Sequence, residues 1–161
     1  MSRNGETVSA FERELASYCD VRWAIAASNG TVTIQAALVA LGVKPGDRVF
    51  TTPLTMSATT IAILNVGAIP VYGDVDPHTW LLDMGKLPTP MPCVTSVPVS
   101  LYGLHFPYGG AIVDDAAQTL RKPRGTAFTS LSFQSSRCYR SARAVRCLRT
   151  ATSSRPVPAP I

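Results

Sequence analysis

Phe11, Leu15 and Tyr18 recur at helical spacing among acids and arginines, so the pattern opens with an amphipathic helix ending near Cys19-Asp20. The run Trp23-Ala24-Ile25-Ala26-Ala27 is short and continuously apolar, as a strand buried on both faces would be. After Ser28-Asn29-Gly30-Thr31, the residues Ile34, Ala37, Leu38 and Leu41 fall at i, i+3, i+4 and i+7, which predicts a helix closed by Gly42. Lys44-Pro45-Gly46-Asp47 is a turn, and residues 48–52 read as the next strand. A second internal helix covers about 57–66 and ends at Gly67; residues 69–72 follow as a strand closed by Gly73-Asp74-Val75-Asp76-Pro77. Further strands are expected at 94–101, 111–113 and 129–133. Strands and helices alternating at these intervals predict an α/β domain with a mostly parallel sheet flanked by helices. The join between 101 and 111 is short for a parallel crossover, so either it lacks a helix or the two strands are not neighbours.

From Arg137 onward the texture changes. CYRSARAVRCLRTATSSRPVPAPI has no apolar period and no acid, and a disordered tail over 137–161 is the expectation. Charge divides at the same place. Residues 1–136 hold nine Lys and Arg against ten acids, while residues 137–161 hold six arginines, so the net charge of +5 belongs to the tail. Such a tail admits a nucleic-acid contact. A hydrophobic content of 46% with 16% charged residues fits one soluble domain with a real core. With no long uncharged apolar run, a cytoplasmic protein with no membrane contact is expected. Cys19, Cys93, Cys138 and Cys147 form no C-x-x-C pair and read as free thiols, with no metal site.

Three segments carry chemistry. Asn29-Gly30-Thr31 lies between the apolar run and a helix start, where backbone N–H groups and the helix dipole favour a phosphate; the same residues also serve as a plain N-cap. Val113-Asp114-Asp115-Ala116-Ala117-Gln118 sets two acids at the end of an apolar strand, the edge where α/β sheets bind ligands. A carboxylate there can hold a heteroaromatic nitrogen protonated, or it can cap the next element. Ser132-Phe133-Gln134-Ser135-Ser136 ends another strand in hydroxyls.

In this order, SNGTVTIQAALVALGVKPGDRVFTTPLT, ATTIAILNVGAIPVYGDVDPHTW, VSLYG, AIVDDAAQ and SLSFQSS resemble the DegT/DnrJ/StrS family of sugar aminotransferases over roughly residues 10–136. The resemblance implies part of a fold-type-I large domain over 1–136 and pyridoxal 5'-phosphate as cofactor. It also implies amino transfer from glutamate or glutamine to a keto-sugar nucleotide, and a homodimer. It gives Gly30, Thr31 and Ser132 the cofactor phosphate, Asp115 the pyridine nitrogen, and Gln118 a place beside the ring. Met56 falls where the family usually stacks an aromatic residue on that ring. Ser100 stands where histidine is common before Leu-Tyr-Gly, and Asp114 where glutamate is usual. The segments 82–93 and 104–110 are shorter than the family's, as though helices were trimmed.

The family's Schiff-base lysine falls five residues after the phosphate-binding serine, where this chain has Arg137. A guanidinium is always charged and offers no amine for that bond, so no intact catalytic residue is expected. A single-base frame shift accounts for the tail. With suitable codons, restoring one A before Arg137 turns Arg-Cys-Tyr-Arg into Lys-Val-Leu-Ser, followed by Val-Gly-Glu-Gly-Gly-Ala, as the family continues. The expectation is therefore a truncated aminotransferase, inactive alone. The alternative is a non-catalytic phosphate-, pyridoxal-phosphate- or nucleic-acid-binding protein that uses its basic tail.

Overall fold

A computed structural model describes residues 3–86, 93–107, 110–120, 122 and 125–133. Helix α1 spans Arg3–Cys19, α2 Gly30–Ala40 and α3 Ser57–Asn65; the strands are β1 Arg48–Thr51, β2 Ile69–Tyr72, β3 Thr95–Val97, β4 Gly110–Asp115 and β5 Thr126–Ser130. They form one five-stranded sheet in the order β2-β1-β3-β4-β5, and every pair is parallel. This is the expected α/β architecture. The tail from 137 onward, and with it the Arg137 position, lies outside the described residues.

Alternation along the strands sorts the core into two layers. Val49, Val97 and Val113 point to one face, where Ile34, Ala37 and Leu38 of α2 and Ala62 and Ile63 of α3 cover them. Phe50 and Ile112, one residue out of phase, point to the other face and meet Leu81, Leu82, Val99, Leu101 and Phe106 from loops. Helix α2 ends as its pattern predicts: Val43 N–H reaches back to Leu38 O at 3.1 Å across Gly42, whose φ of +80° suits a residue without Cβ.

β3 and β4 are direct neighbours, with Ser96 opposite Ile112, so the short join between them runs without a helix among its described residues. β3 stops at Val97 because Pro98 has no amide for the ladder; pairing resumes as a single bridge between Val99 and Asp115.

Two expectations need correction. Residues 23–27 form no strand: Trp23 is 76% and Ile25 82% exposed. An apolar run becomes a strand only beside a neighbour that takes its backbone groups, and the described sheet ends at β5; the Ala26 amide goes instead to the Glu12 carboxylate at 2.7 Å. The last strand is also displaced, running from Thr126 to Ser130 rather than 129–133. Leu131 and Phe133 follow it as half-buried loop residues, and the Phe133 ring packs edge-on to Phe11 with centroids 5.3 Å apart.

Candidate functional site at the carboxyl edge of the sheet

The first turn of α2 begins with Asn29, whose extended backbone and side chain make a true N-cap: Oδ1 accepts the Val32 amide at 3.0 Å. The amides of Gly30 and Thr31 come ahead of the capped one, at the positive end of the helix dipole. Gly30 faces Ser132: a Cβ at position 30 would meet Ser132 Cβ at 3.4 Å, an ordinary van der Waals contact. The Ser132 hydroxyl thereby lies against the helix start.

Hydroxyls fix this junction. Thr33 Oγ1 donates to Gly30 O at 2.7 Å and lies 2.6 Å from Ser130 Oγ, which itself stands 3.4 Å from the same carbonyl. Ser130 O in turn accepts the Ala116 amide at 2.9 Å, tying the end of β5 to the end of β4. Neither Thr33 nor Ser130 stood out in the sequence.

Asp114 and Asp115 both lie within β4 rather than after it, so pleating sends them to opposite faces. Asp115, 5% exposed, turns to the helical face, where Thr59 Oγ1 of α3 donates to its Oδ2 at 2.7 Å and the Ala117 amide reaches Oδ1 at 3.2 Å. Asp114, fully buried, turns to the loop face, where Ser100 Oγ donates to its Oδ1 at 2.7 Å. Its Oδ2 stands 3.5 Å from His105 Nδ1, and neither atom has a hydrogen-bond partner. Burial pushes the Asp114 carboxyl above its ordinary value, and the neighbouring Asp115 adds to that; the Ser100 hydrogen bond and His105 pull the other way.

Met56 is the N-cap residue of α3, 53% exposed, with no capping bond from its side chain. It stands one turn before Thr59 and so at the same helix start that holds Asp115. Gln118 is exposed and its Oε1 accepts the Tyr102 amide at 3.2 Å, in a turn where Tyr102 takes a φ of +54°. The structure thus brings Gly30, Thr31 and Ser132 together, joins them through Ser130 and Ala116 to Asp115, and places Met56 beside Thr59. Gln118 is fastened to the β3–β4 connection.

A small depression lined by Ala116, Ala117, Ser132 and Phe133 lies between the ends of β4 and β5. A larger one, lined by Leu41, Gly42, Val43, Asp47, Val94 and Thr95, opens at the amino ends of β1 and β3 and contains none of these residues. Ligands of parallel sheets bind outside the carboxyl ends, which favours the smaller one. The lysines are engaged elsewhere: Lys86 Nζ lies 3.0 Å from Asp74, Lys122 Nζ lies 3.7 Å from Asp20, and Lys44 is exposed in its turn. Cys19 is buried and Cys93 half-buried, both as free thiols. Among the described residues no helix is long and apolar enough to cross a membrane.

Residues 1–109 match the model of the DegT/DnrJ/EryC1/StrS aminotransferase family. The chain belongs to that family. Its relatives include the GDP-perosamine synthase of Caulobacter vibrioides, 42% identical over 105 residues that make up 64% of this chain and 28% of that protein. Another is the UDP-2-acetamido-2-deoxy-3-oxo-D-glucuronate aminotransferase of Pseudomonas aeruginosa, 37% identical over 127 residues, 71% of this chain and 35% of that protein. Among solved structures, NtdA from Bacillus subtilis with bound cofactor PMP superposes with a TM-score of 0.73 at 34% identity, covering 79% of this chain and 33% of NtdA. The chain therefore spans about a third of the length of the relatives it matches. This family uses pyridoxal phosphate, and the match extends the likeness from motifs to fold.

Proposed function

We propose that the strand-end cluster is a pyridoxal-phosphate site, the N-terminal part of a sugar aminotransferase's large domain. The observation that carries this reading is the convergence of two unlike groups at one sheet edge. The α2 start, with Gly30 facing Ser132, suits a phosphate; the buried carboxylate of Asp115 suits a protonated ring nitrogen. When bound, pyridoxal phosphate supplies an electron sink for amino transfer. Gly30 and Thr31 amides and the Ser132 hydroxyl hold its phosphate; Asp115 keeps the ring nitrogen protonated; Met56 packs on the ring; Gln118 stands beside it. Glutamate or glutamine as donor and a keto-sugar nucleotide as acceptor complete the reading for the whole enzyme, together with a homodimer in the cytoplasm.

With Arg137 at the lysine position, this chain holds the cofactor without a covalent bond and does not transfer amino groups by itself. The Arg-rich stretch over 137–161 is the out-of-frame product of a gene that encodes the family's continuation. Titration with pyridoxal phosphate, followed by circular dichroism of the cofactor band, tests the site. Binding is expected to weaken about 10- to 100-fold in Asp115→Asn, which loses a charge-assisted bond, and less in Ser132→Ala. Borohydride treatment should leave the mass of the chain unchanged. Steady turnover with glutamate, or a reduced adduct on Lys44, Lys86 or Lys122, would overturn the non-covalent reading.

A further inference from the structure

The Asp115 carboxylate takes a hydrogen bond from outside its own strand. Its Oδ2 accepts from Thr59 Oγ1 at 2.7 Å, and Thr59, fully buried in the first turn of α3, has Thr55 Oγ1 at 2.8 Å. A hydroxyl has one proton to give. Because Thr59 gives its proton to the carboxylate, the contact between the two threonines has Thr55 donating. The result is a directed chain, Thr55 to Thr59 to Asp115, that begins at the loop before α3 and ends on the carboxylate. Thr59 also belongs to the buried stripe of α3 with Ala62 and Ile63, so packing limits the rotation of its side chain. With the Ala117 amide on Oδ1, the carboxylate is gripped from both sides in one orientation.

We infer that Thr59 is a positioning residue for Asp115, oriented by Thr55, and that it fixes the carboxylate toward the ring nitrogen of a bound pyridine cofactor. The inference rests on the pyridoxal-phosphate reading of the site. It gives the α3 start a second task besides presenting Met56, and it separates the ring end of the site from the phosphate end at Gly30 and Ser132.

The test uses the full chain with pyridoxal phosphate labelled with 15N in the ring, reading both affinity and the 15N shift that reports the nitrogen's protonation. In Thr59→Val, affinity is expected to fall about tenfold and the shift to move toward the unprotonated form. Thr59→Ser should restore both, and the affinity of inorganic phosphate measured alone should stay at the wild-type value in every variant. Thr55→Val should shift the signal in the same direction by less; it decides the matter if Thr59→Val does not fold. Wild-type affinity and shift in Thr59→Val, with Asp115→Asn still impaired, would overturn the inference and leave the site standing. A wild-type chain that binds the cofactor no better than Asp115→Asn would overturn the site reading, and the inference with it.

Discussion

The two faces of the sheet are covered by different means. On one, α2 and α3 lay regular stripes of Ile34, Ala37, Leu38, Ala62 and Ile63 over the strands, and each helix satisfies its own interior backbone. On the other, irregular segments carrying Leu81, Leu82, Val99, Leu101 and Phe106 do the covering, and their backbone has to be tethered by side chains. Asp76 Oδ1 takes the amides of His78 and Thr79 at 2.9 and 2.8 Å, and Ser100 Oγ takes that of Phe106 at 3.1 Å while donating to Asp114. The neighbouring acids of β4 divide between these regimes. Asp115 faces the helices, where Thr59 holds it; Asp114 holds the loops through Ser100.

The sharpest way to break this comparison is to empty each face in turn. Phe106→Ala on the loop face should cost about 3–5 kcal/mol, and Leu38→Ala on the helical face about 2–5 kcal/mol, read as urea midpoints by far-ultraviolet circular dichroism. A loss well under 1 kcal/mol for Phe106→Ala would show the loop face to be a loose cover rather than core. Ser100→Ala removes both the donor to Asp114 and the acceptor of the Phe106 amide, and should cost about 1–3 kcal/mol. Asn29→Ala removes the α2 cap and should cost about 1 kcal/mol, with weaker phosphate binding only as far as the helix start frays.

The last prediction concerns slope rather than level. Burial raises the folded-state pKa of Asp114 above the unfolded value of about 3.9, so the folded chain binds its proton more readily than the unfolded one. That contribution to stability is complete below about pH 3.9 and is lost as pH rises through the raised value. The His105 ring, 3.5 Å from Asp114 Oδ2, opposes this shift, and burial outweighs it. The same ring donates from Nε2 to the Lys122 carbonyl at 3.2 Å. Asp114→Asn cannot titrate, so its stability relative to wild type should improve with rising pH across that window. Parallel stability curves for the two proteins would contradict the assignment.

Much of this fold is visible in periodicity. The α2 stripe and the four apolar or β-branched residues at 69–72 need only local spacing to be read, and both elements appear where their patterns place them. The run at 23–27 was misleading for a tertiary reason, since no local rule tells an apolar segment whether a neighbour exists. β5 was misplaced because its sequence, TAFTS, is that of a half-exposed strand, while the more apolar residues after it pack as a loop. Of the site, Gly30, Thr31 and Asp115 were visible through position and motif. Thr59 was not, although a signal was there: a hydroxyl at the head of the stripe Thr59, Ala62, Ile63 is a buried polar group that requires a partner. Ser130, Thr33 and His105 acquire their roles only through contacts between distant parts of the chain.

The exposure of the 23–27 run also governs how this protein reports on itself. Its two tryptophans are Trp23 and Trp80, 76% and 53% exposed. Both indoles are already largely hydrated in the native state, so their emission should lie near that of the denatured chain and change little when the core melts. A flat fluorescence trace during heating would therefore reflect where the chromophores stand, not an absence of folded structure.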